Sequence, residues 1–310
     1  MSRTGADREV GDFRAGARAR GADRLGTASI GGAATWATRR ALGRLLGSDD
    51  ARWTRTNHRG EPISLLEGPA VATGLTAAAA CVGGRAGVAG AVAVAGGAAF
   101  GLVDDLSEDT SRTRKGLRGH LGALARGELT TGGLKVLGIG ATSLLAAGIA
   151  LGGRAPSGAC RCACRARAAS MTGRLFDTAV TGALIAGTAN LVNLLDLRPG
   201  RALKVSALAA APLLAHPTAG PLAAGVIGAG ASAAPGDLGE RDMLGDCGAN
   251  ALGALVGTAV AVAAPRPVRA ALLAGVAALT VASERVSFTE VIARTPVLRA
   301  IDEWGRSVRP

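Results

Sequence analysis

Two adjacent carboxylates, Asp104 and Asp105, stand where the apolar stretch AAFGLV (98–103) gives way to the basic run SRTRKGLRGH (111–120). Asn190, Asn193 and Asp196 recur at three-residue intervals where another apolar run ends, in NLVNLLD. Asp246 follows a glycine at the head of a third run, GDCGANALGALVG, with Asn250 one turn later. Carboxylate and amide oxygens with few histidines favour a hard cation such as Mg²⁺. Arg and Lys beside them favour phosphate. Together they describe a diphosphate–Mg²⁺ site. Each element also has a plainer reading: a helix end at Asp104–Asp105, hydrogen bonding between helices at Asn190 and Asn193, and a helix N-cap at Asp246.

The elements that must position these groups are apolar. The chain has 310 residues, 48% hydrophobic and only 19% charged, against about 25% charged in an average soluble protein. It has four Phe, three Trp, no Tyr and 47 Gly, so a core of large side chains is out of reach. Small residues in long apolar runs suit helices that approach closely in lipid. The expected fold is therefore all-α, a polytopic integral membrane bundle of about 8–10 transmembrane helices. Apolar runs fall at about 69–83, 86–103, 132–152, 176–195, 203–215, 218–234, 248–264 and 268–282. A weaker run at 25–45 is interrupted by Arg39 and Arg40.

The net charge of +12 would suit nucleic acid in a soluble protein. Here the basic residues sit in short loops beside apolar runs, which fits anionic lipid, and nucleic acid is not expected as a partner. The loop 104–131, with Arg112, Arg114, Lys115, Arg118 and Arg126, is assigned to the cytoplasm by its positive charge. Within it Leu117, Leu121 and Leu124 lie on one helical stripe, and Arg114, Lys115 and Arg118 are placed to hold a lipid phosphate or the anionic surface. Alternation then puts 196–202, 235–247 and everything after 283 on the same side as Asp104 and Asp105. The opposite turns at 84–85, 153–175, 216–217 and 265–267 carry no acid. One of them holds five Arg, against the positive-inside trend, together with Cys160, Cys162 and Cys164, whose C-x-C-x-C spacing lacks a nearby His for a zinc site.

Other lipid-phosphate signatures fail on the same residues. Gly101, Asp105 and Asp109 fit G-x3-D-x3-D, but the upstream D-G-x2-A-R of a CDP-alcohol phosphotransferase is missing. The acids of DDLSED are not spaced D-D-x-x-D, and no N-D-x-x-D prenyltransferase motif occurs.

In order, GLVDD, NLVNLLD and GDCGANALGALVG resemble the polyprenyl-phosphate N-acetylhexosamine-1-phosphate transferases, over most of the chain from about Arg55 to Glu284. The resemblance implies a multi-helix enzyme of the plasma membrane with a cytoplasmic site. It would transfer a phospho-sugar from a nucleotide-sugar, UDP-linked, to a polyprenyl phosphate in cell-envelope glycan synthesis, with Mg²⁺ as cofactor. Asp104 and Asp105 match the family's acidic pair, Asn193 the second Asn of its N-x-x-N element, and Asp246 the Asp of its G-D-x-G element. Asp246 and Asn193 are thereby the implied metal ligands, and Asp104, Asp105 and Asp246 the catalytic residues. Asn190, Asp196, Asn250, Arg114, Lys115 and Arg118 are the candidates for substrate binding. Implied partners are polyprenyl phosphate, a nucleotide-sugar, membrane lipids and a second copy of the chain in a homodimer. The chain departs from the family at two places. Asp196 is followed by LRPG in place of G-x-D-G, and no His follows His216. Nucleotide and sugar identity stay open, as does a non-catalytic relative that binds lipid phosphate or scaffolds envelope assembly.

The expected organisation is a polar tail over 1–24, a transmembrane domain over 25–284 and a cytoplasmic amphipathic tail over 285–310. In the last, Ser287 and Glu290 form a capping box and Pro296 opens a second helix. Val291, Leu298, Ile301 and Trp304 make its apolar face, opposite Arg294, Arg299 and Arg306. Reporter tags after residues 115, 200, 240 and 310 are expected to read the cytoplasmic face, and a tag near 160 the other. Tags at 115 and 240 on opposite faces would separate the acids and dismantle the site.

Overall fold

The computed structural model describes residues 5–46, 51–57, 59–107, 131–152 and 163–306, with 5–22, 131 and 163–170 described by backbone alone. Arg114, Lys115, Arg118, the leucine stripe beside them and the side chains of Cys160, Cys162 and Cys164 lie outside the described residues.

Every apolar run becomes a helix. In chain order the elements are α1 (Gly5–Leu46), a hairpin of β1 (Thr54–Thr56) and β2 (Pro62–Ser64), α2 (Glu67–Val82), α3 (Gly84–Ser107), α4 (Thr131–Leu151) and α5 (Ala163–Leu195). Then come α6 (Arg201–Ala210), which tightens to a 3-10 turn over Ala211–Ala215, α7 (Ala219–Asp237), α8 (Gly245–Ala263) and α9 (Arg266–Ser283). Two short helices close the described chain, α10 (Phe288–Arg294) and α11 (Pro296–Glu303). The strands pair antiparallel with Arg55 opposite Ile63. The fold is an all-α bundle. Among the described residues, five helices are long and apolar enough to cross a membrane: Gly84–Ser107, Gly132–Leu151, Met171–Leu195, Gly245–Ala263 and Arg266–Ser283. The shorter or more polar α1, α2, α6 and α7 join the same bundle.

The polar tail expected over 1–24 is helical from Gly5, as the first part of α1. The run interrupted by Arg39 and Arg40 belongs to that helix and packs on α2 and α7. Arg39 is tolerated there because Asp242 accepts its Nε at 2.9 Å. At the other end of the contact Arg24 donates to the Ala215 and His216 carbonyls. His216 itself caps α7, its Nδ1 accepting the Ala219 N–H at 3.1 Å.

Helix α8 is the axis. It packs on α2, α3, α5 and α7, and nearly all its residues are buried. With so few large side chains, the bundle gains contact by bringing backbones together. At Gly101 of α3 a Cβ would overlap the Asp246 carbonyl, so glycine lets the end of α3 lie directly on the start of α8. Leu75, Val94, Leu222, Val226, Leu252 and Leu255 fill the space that remains.

The C-terminal hairpin follows the sequence. The Ser287 side chain accepts the Glu290 N–H, and Pro296 opens α11. The hairpin docks on the head of α6. Buried Arg201 grips both Asp302 oxygens, at 2.8 and 3.1 Å, and donates to Thr289 at 3.0 Å. Lys204 reaches the Asp302 carbonyl at 2.6 Å, and Arg306 the Pro199 carbonyl at 3.0 Å. Partial burial alone would raise the Asp302 pKa, but the Arg201 hydrogen bond and charge, followed by Arg306, outweigh it and hold it below the usual carboxylate value. A depressed pKa stabilises docking above the unfolded value of about 3.9, and that stability is lost as pH falls through the folded value. Proteolytic protection of the tail should therefore be flat from neutral pH down to about 4 and fall only below it. Asp302→Asn should release the tail at neutral pH.

Candidate functional site

Helix ends gather at one end of the bundle: the last residues of α3, α5 and α7, and the first of α2, α4, α6 and α8. The acids and amides singled out by the sequence lie there. Asp105, at the end of α3, accepts the backbone N–H of Asp246 at 3.0 Å through one oxygen and that of Cys247 at 2.9 Å through the other. It is the N-terminal cap of α8, supplied by another helix. The arrangement satisfies two of the four orphan N–H groups and places an anion at the positive end of the helix dipole. Gly245 makes it possible. Its φ of +57° turns the chain sharply into α8, and a Cβ there would crowd both Asp105 oxygens at 3.1 Å. Arg55 of β1 donates to the Asp105 carbonyl and ties the hairpin to the same corner.

The neighbouring Asp104 faces a different partner. Lys135, near the start of α4, reaches Asp104 Oδ2 at 3.4 Å and forms a short ion pair with Asp246 Oδ2. Asp104 and Asp246 also lie within hydrogen-bond reach of each other, and the Asn193 side chain hydrogen-bonds to Asp246. Asp104, Asp246, Asn193 and Lys135 thus meet at one point, with Asp105 behind them. Asp196 accepts the Gly245 N–H. It lies beyond the α5 span, and its pKa is well above the ordinary carboxylate value, first from burial and then from the charges of Asp237, Asp246 and Asp105. A carboxyl in that position gains most from a cation.

Two other candidates are placed differently. Asn190 lies one turn before Asn193 on α5 and is partly buried. Asn250 is fully buried in α8, where its Nδ2 donates to the Asp246 carbonyl at 2.6 Å, so it faces its own helix. Asp246 is not its own helix cap, because the N–H groups of that turn are taken by Asp105.

Four groups escape the sequence reading. Lys135 is the one charge of the apolar run 132–152, and a lone ionisable group in an expected span is itself a functional signal. Asp237 holds the turn that carries Asp196, its Oδ1 accepting the Gly200 N–H at 2.9 Å. Glu67 and Asp242 complete a second acidic group beside it, with Glu67 only 2% exposed. Among the described residues Glu67 Oε1, Asp196 Oδ2 and Asp237 Oδ2 are buried without a hydrogen-bond partner. Arg39 forms an ion pair with Asp242, and Lys204 and Arg306 act on Asp237 at longer range.

The donor set fits Mg²⁺. Among the described residues no three His, Cys, Asp or Glu side chains come together as a metal cage. Mg²⁺ commonly uses one or two carboxylates, with waters and substrate phosphates completing its octahedron. Asp246 with the Asn193 amide is such a partial set. No protein-family profile, curated protein or solved structure matches the chain.

The separation of the two aspartates has a measurable consequence. Asp105→Ala leaves two buried N–H groups unpaired and should cost about 1–3 kcal/mol for each, seen as a large drop in melting temperature in detergent. Asp104→Asn, which leaves that cap intact, should melt near the wild type. Equal destabilisation by both would remove the distinction.

Proposed function

We propose that the chain transfers a phospho-sugar from a nucleotide-sugar, UDP-linked, to a polyprenyl phosphate at the cytoplasmic face of the plasma membrane, in cell-envelope glycan synthesis, with Mg²⁺. The observation that carries the reading is the meeting of Asp104, Asp246, Asn193 and Lys135 at the end of a membrane bundle. Carboxylate and amide oxygens for a hard cation stand there beside an ammonium for phosphate, at the ends of membrane-spanning helices.

In the reaction an oxygen of the acceptor phosphate attacks the sugar-bearing phosphorus. The bond from that phosphorus to the bridging oxygen breaks, and the nucleoside monophosphate leaves with the electron pair. Asp246 and Asn193 would hold Mg²⁺, which when bound supplies charge neutralisation at the diphosphate. Lys135, held by Asp104 and Asp246, is placed to donate to phosphate oxygens as charge builds on the leaving group. A phosphate monoester has a second pKa near ~6 and is mostly dianionic at pH 7, so Asp104 has little proton to remove. Its role is to position Lys135 and the acceptor. Asp105 is a positioning residue, since both its oxygens hold the turn that presents Asp246. Asp196, beside that turn, is placed for the nucleotide or the cation.

A second reading is a non-catalytic relative that binds lipid phosphate or scaffolds envelope assembly. One observation favours it: Lys135 already neutralises Asp104 and Asp246, as in a site that has replaced its cation with an ammonium.

Turnover separates the two. Full-length protein in nanodiscs, given a panel of nucleotide-sugars and short polyprenyl phosphates across Mg²⁺ concentration, should release nucleoside monophosphate. Lys135→Met should lower kcat by about 10²-fold or more. Asp246→Asn should lose activity and need more Mg²⁺, whereas Asp104→Asn should lose activity with the same Mg²⁺ dependence and no rescue at higher pH. Lipid-phosphate binding by a wild type that turns over none of the panel would install the second reading.

A further inference from the structure

The C-terminal hairpin has an outer face that none of the described residues covers. Val291, Val297, Leu298, Ile301 and Trp304 are all exposed, Val297 at 70% and Trp304 at 75%. Sequence order does not explain this, because the hairpin is docked on its opposite side. Arg201 and Lys204 grip Asp302 from the head of α6 and so fix the rotation of α11. Val297, Ile301 and Trp304 recur at i, i+4 and i+7, roughly 100–160° around the helix from Asp302. The clamp that binds one side of α11 therefore turns its apolar stripe away from the protein.

We infer that this stripe lies in the headgroup layer of the same bilayer, making α10–α11 an in-plane element at the mouth of the site. Three observations select lipid as the occupant. Four residues separate the hairpin from α9, the least buried of the five spans, of whose apolar window only 6% is buried. Exposed apolar side chains recur on both sides of that junction, Val281 near the end of α9 and Val286 after it. Trp304 ends the stripe, and the amphipathic indole suits the membrane–water boundary. An amphipathic helix so placed buries its apolar face about 5–10 Å into the headgroup boundary. Charge contributes little. From Glu284 to Arg306 the acids Glu284, Glu290, Asp302 and Glu303 balance Arg285, Arg294, Arg299 and Arg306. The attachment is apolar, so it is insensitive to salt and to lipid charge. It rests on the membrane-spanning fold alone, and catalytic activity plays no part in it.

Trp304 is its own reporter. Trp36→Phe with Trp53→Phe leaves it the single tryptophan of the full-length chain. In nanodiscs its emission should be blue-shifted, strongly quenched by lipids brominated near the headgroup, weakly by lipids brominated at the chain ends, and shielded from iodide. These readings should be the same in zwitterionic and anionic lipid and across salt concentration. Val297→Asp with Ile301→Asp, which spares the Arg201–Asp302 clamp, should abolish the lipid quenching and restore iodide access. Trp304 that is open to iodide and untouched by brominated lipid would overturn the inference. So would quenching that requires anionic lipid, or emission that changes with the number of protein copies per disc and so assigns the face to a second chain.

Discussion

The cap that Asp105 places on α8 is the constraint on which the rest of the site depends. Its two oxygens take the N–H groups of Asp246 and Cys247, and so lock the end of α3 to the start of the central helix. Removing a side chain at Gly101 allows the backbones to touch, and the left-handed turn at Gly245 aims the N–H groups. Once that joint is made, Asp246 can point only toward Lys135, Asn193 and Asp104. In a bundle with few large side chains, a shared hydrogen-bonded corner specifies register that core shape alone would leave loose.

The same corner gathers more carboxyl groups than the cations beside them pair with. Asp104 and Asp246 have Lys135, and Asp242 has Arg39, but Glu67, Asp196 and Asp237 keep oxygens buried without a partner among the described residues. Burying such groups costs several kcal/mol unless something satisfies them, and they persist mostly where function requires them. The C-terminal hairpin adds a rim at this end, held by Asp302, whose two oxygens are taken by Arg201 and Arg306.

Much of this was legible in the sequence. Helices occupy every apolar run and extend beyond it where polar residues continue the helix, briefly in α3 through Asp104 and Asp105 to Ser107 and at length in α1 and α5, which begin at Gly5 and Ala163. The capping box at Ser287 and the helix opened by Pro296 are local signals, and local signals are readable. The partners were not. Asp105 caps a helix 141 residues away, and no pattern within either segment records that pairing. Lys135 hid inside an apolar run, where one charge barely alters hydropathy. Arg39, which seemed to break the first run, is matched by Asp242 across 203 residues. Asn250, alike in type to Asn193, faces its own helix, a distinction of rotation that residue identity does not carry.

The central claim is that Asp246 and its neighbours hold a divalent cation together with a nucleotide diphosphate. Mn²⁺ in place of Mg²⁺ makes the claim visible by electron paramagnetic resonance on the full-length protein. Bound Mn²⁺ should appear when a UDP-sugar is present, carry ³¹P hyperfine coupling from its phosphates, and vanish in Asp246→Asn while Asn250→Ala retains it. Nucleotide-independent Mn²⁺ binding, no binding at all, or an unchanged signal in Asp246→Asn would contradict it.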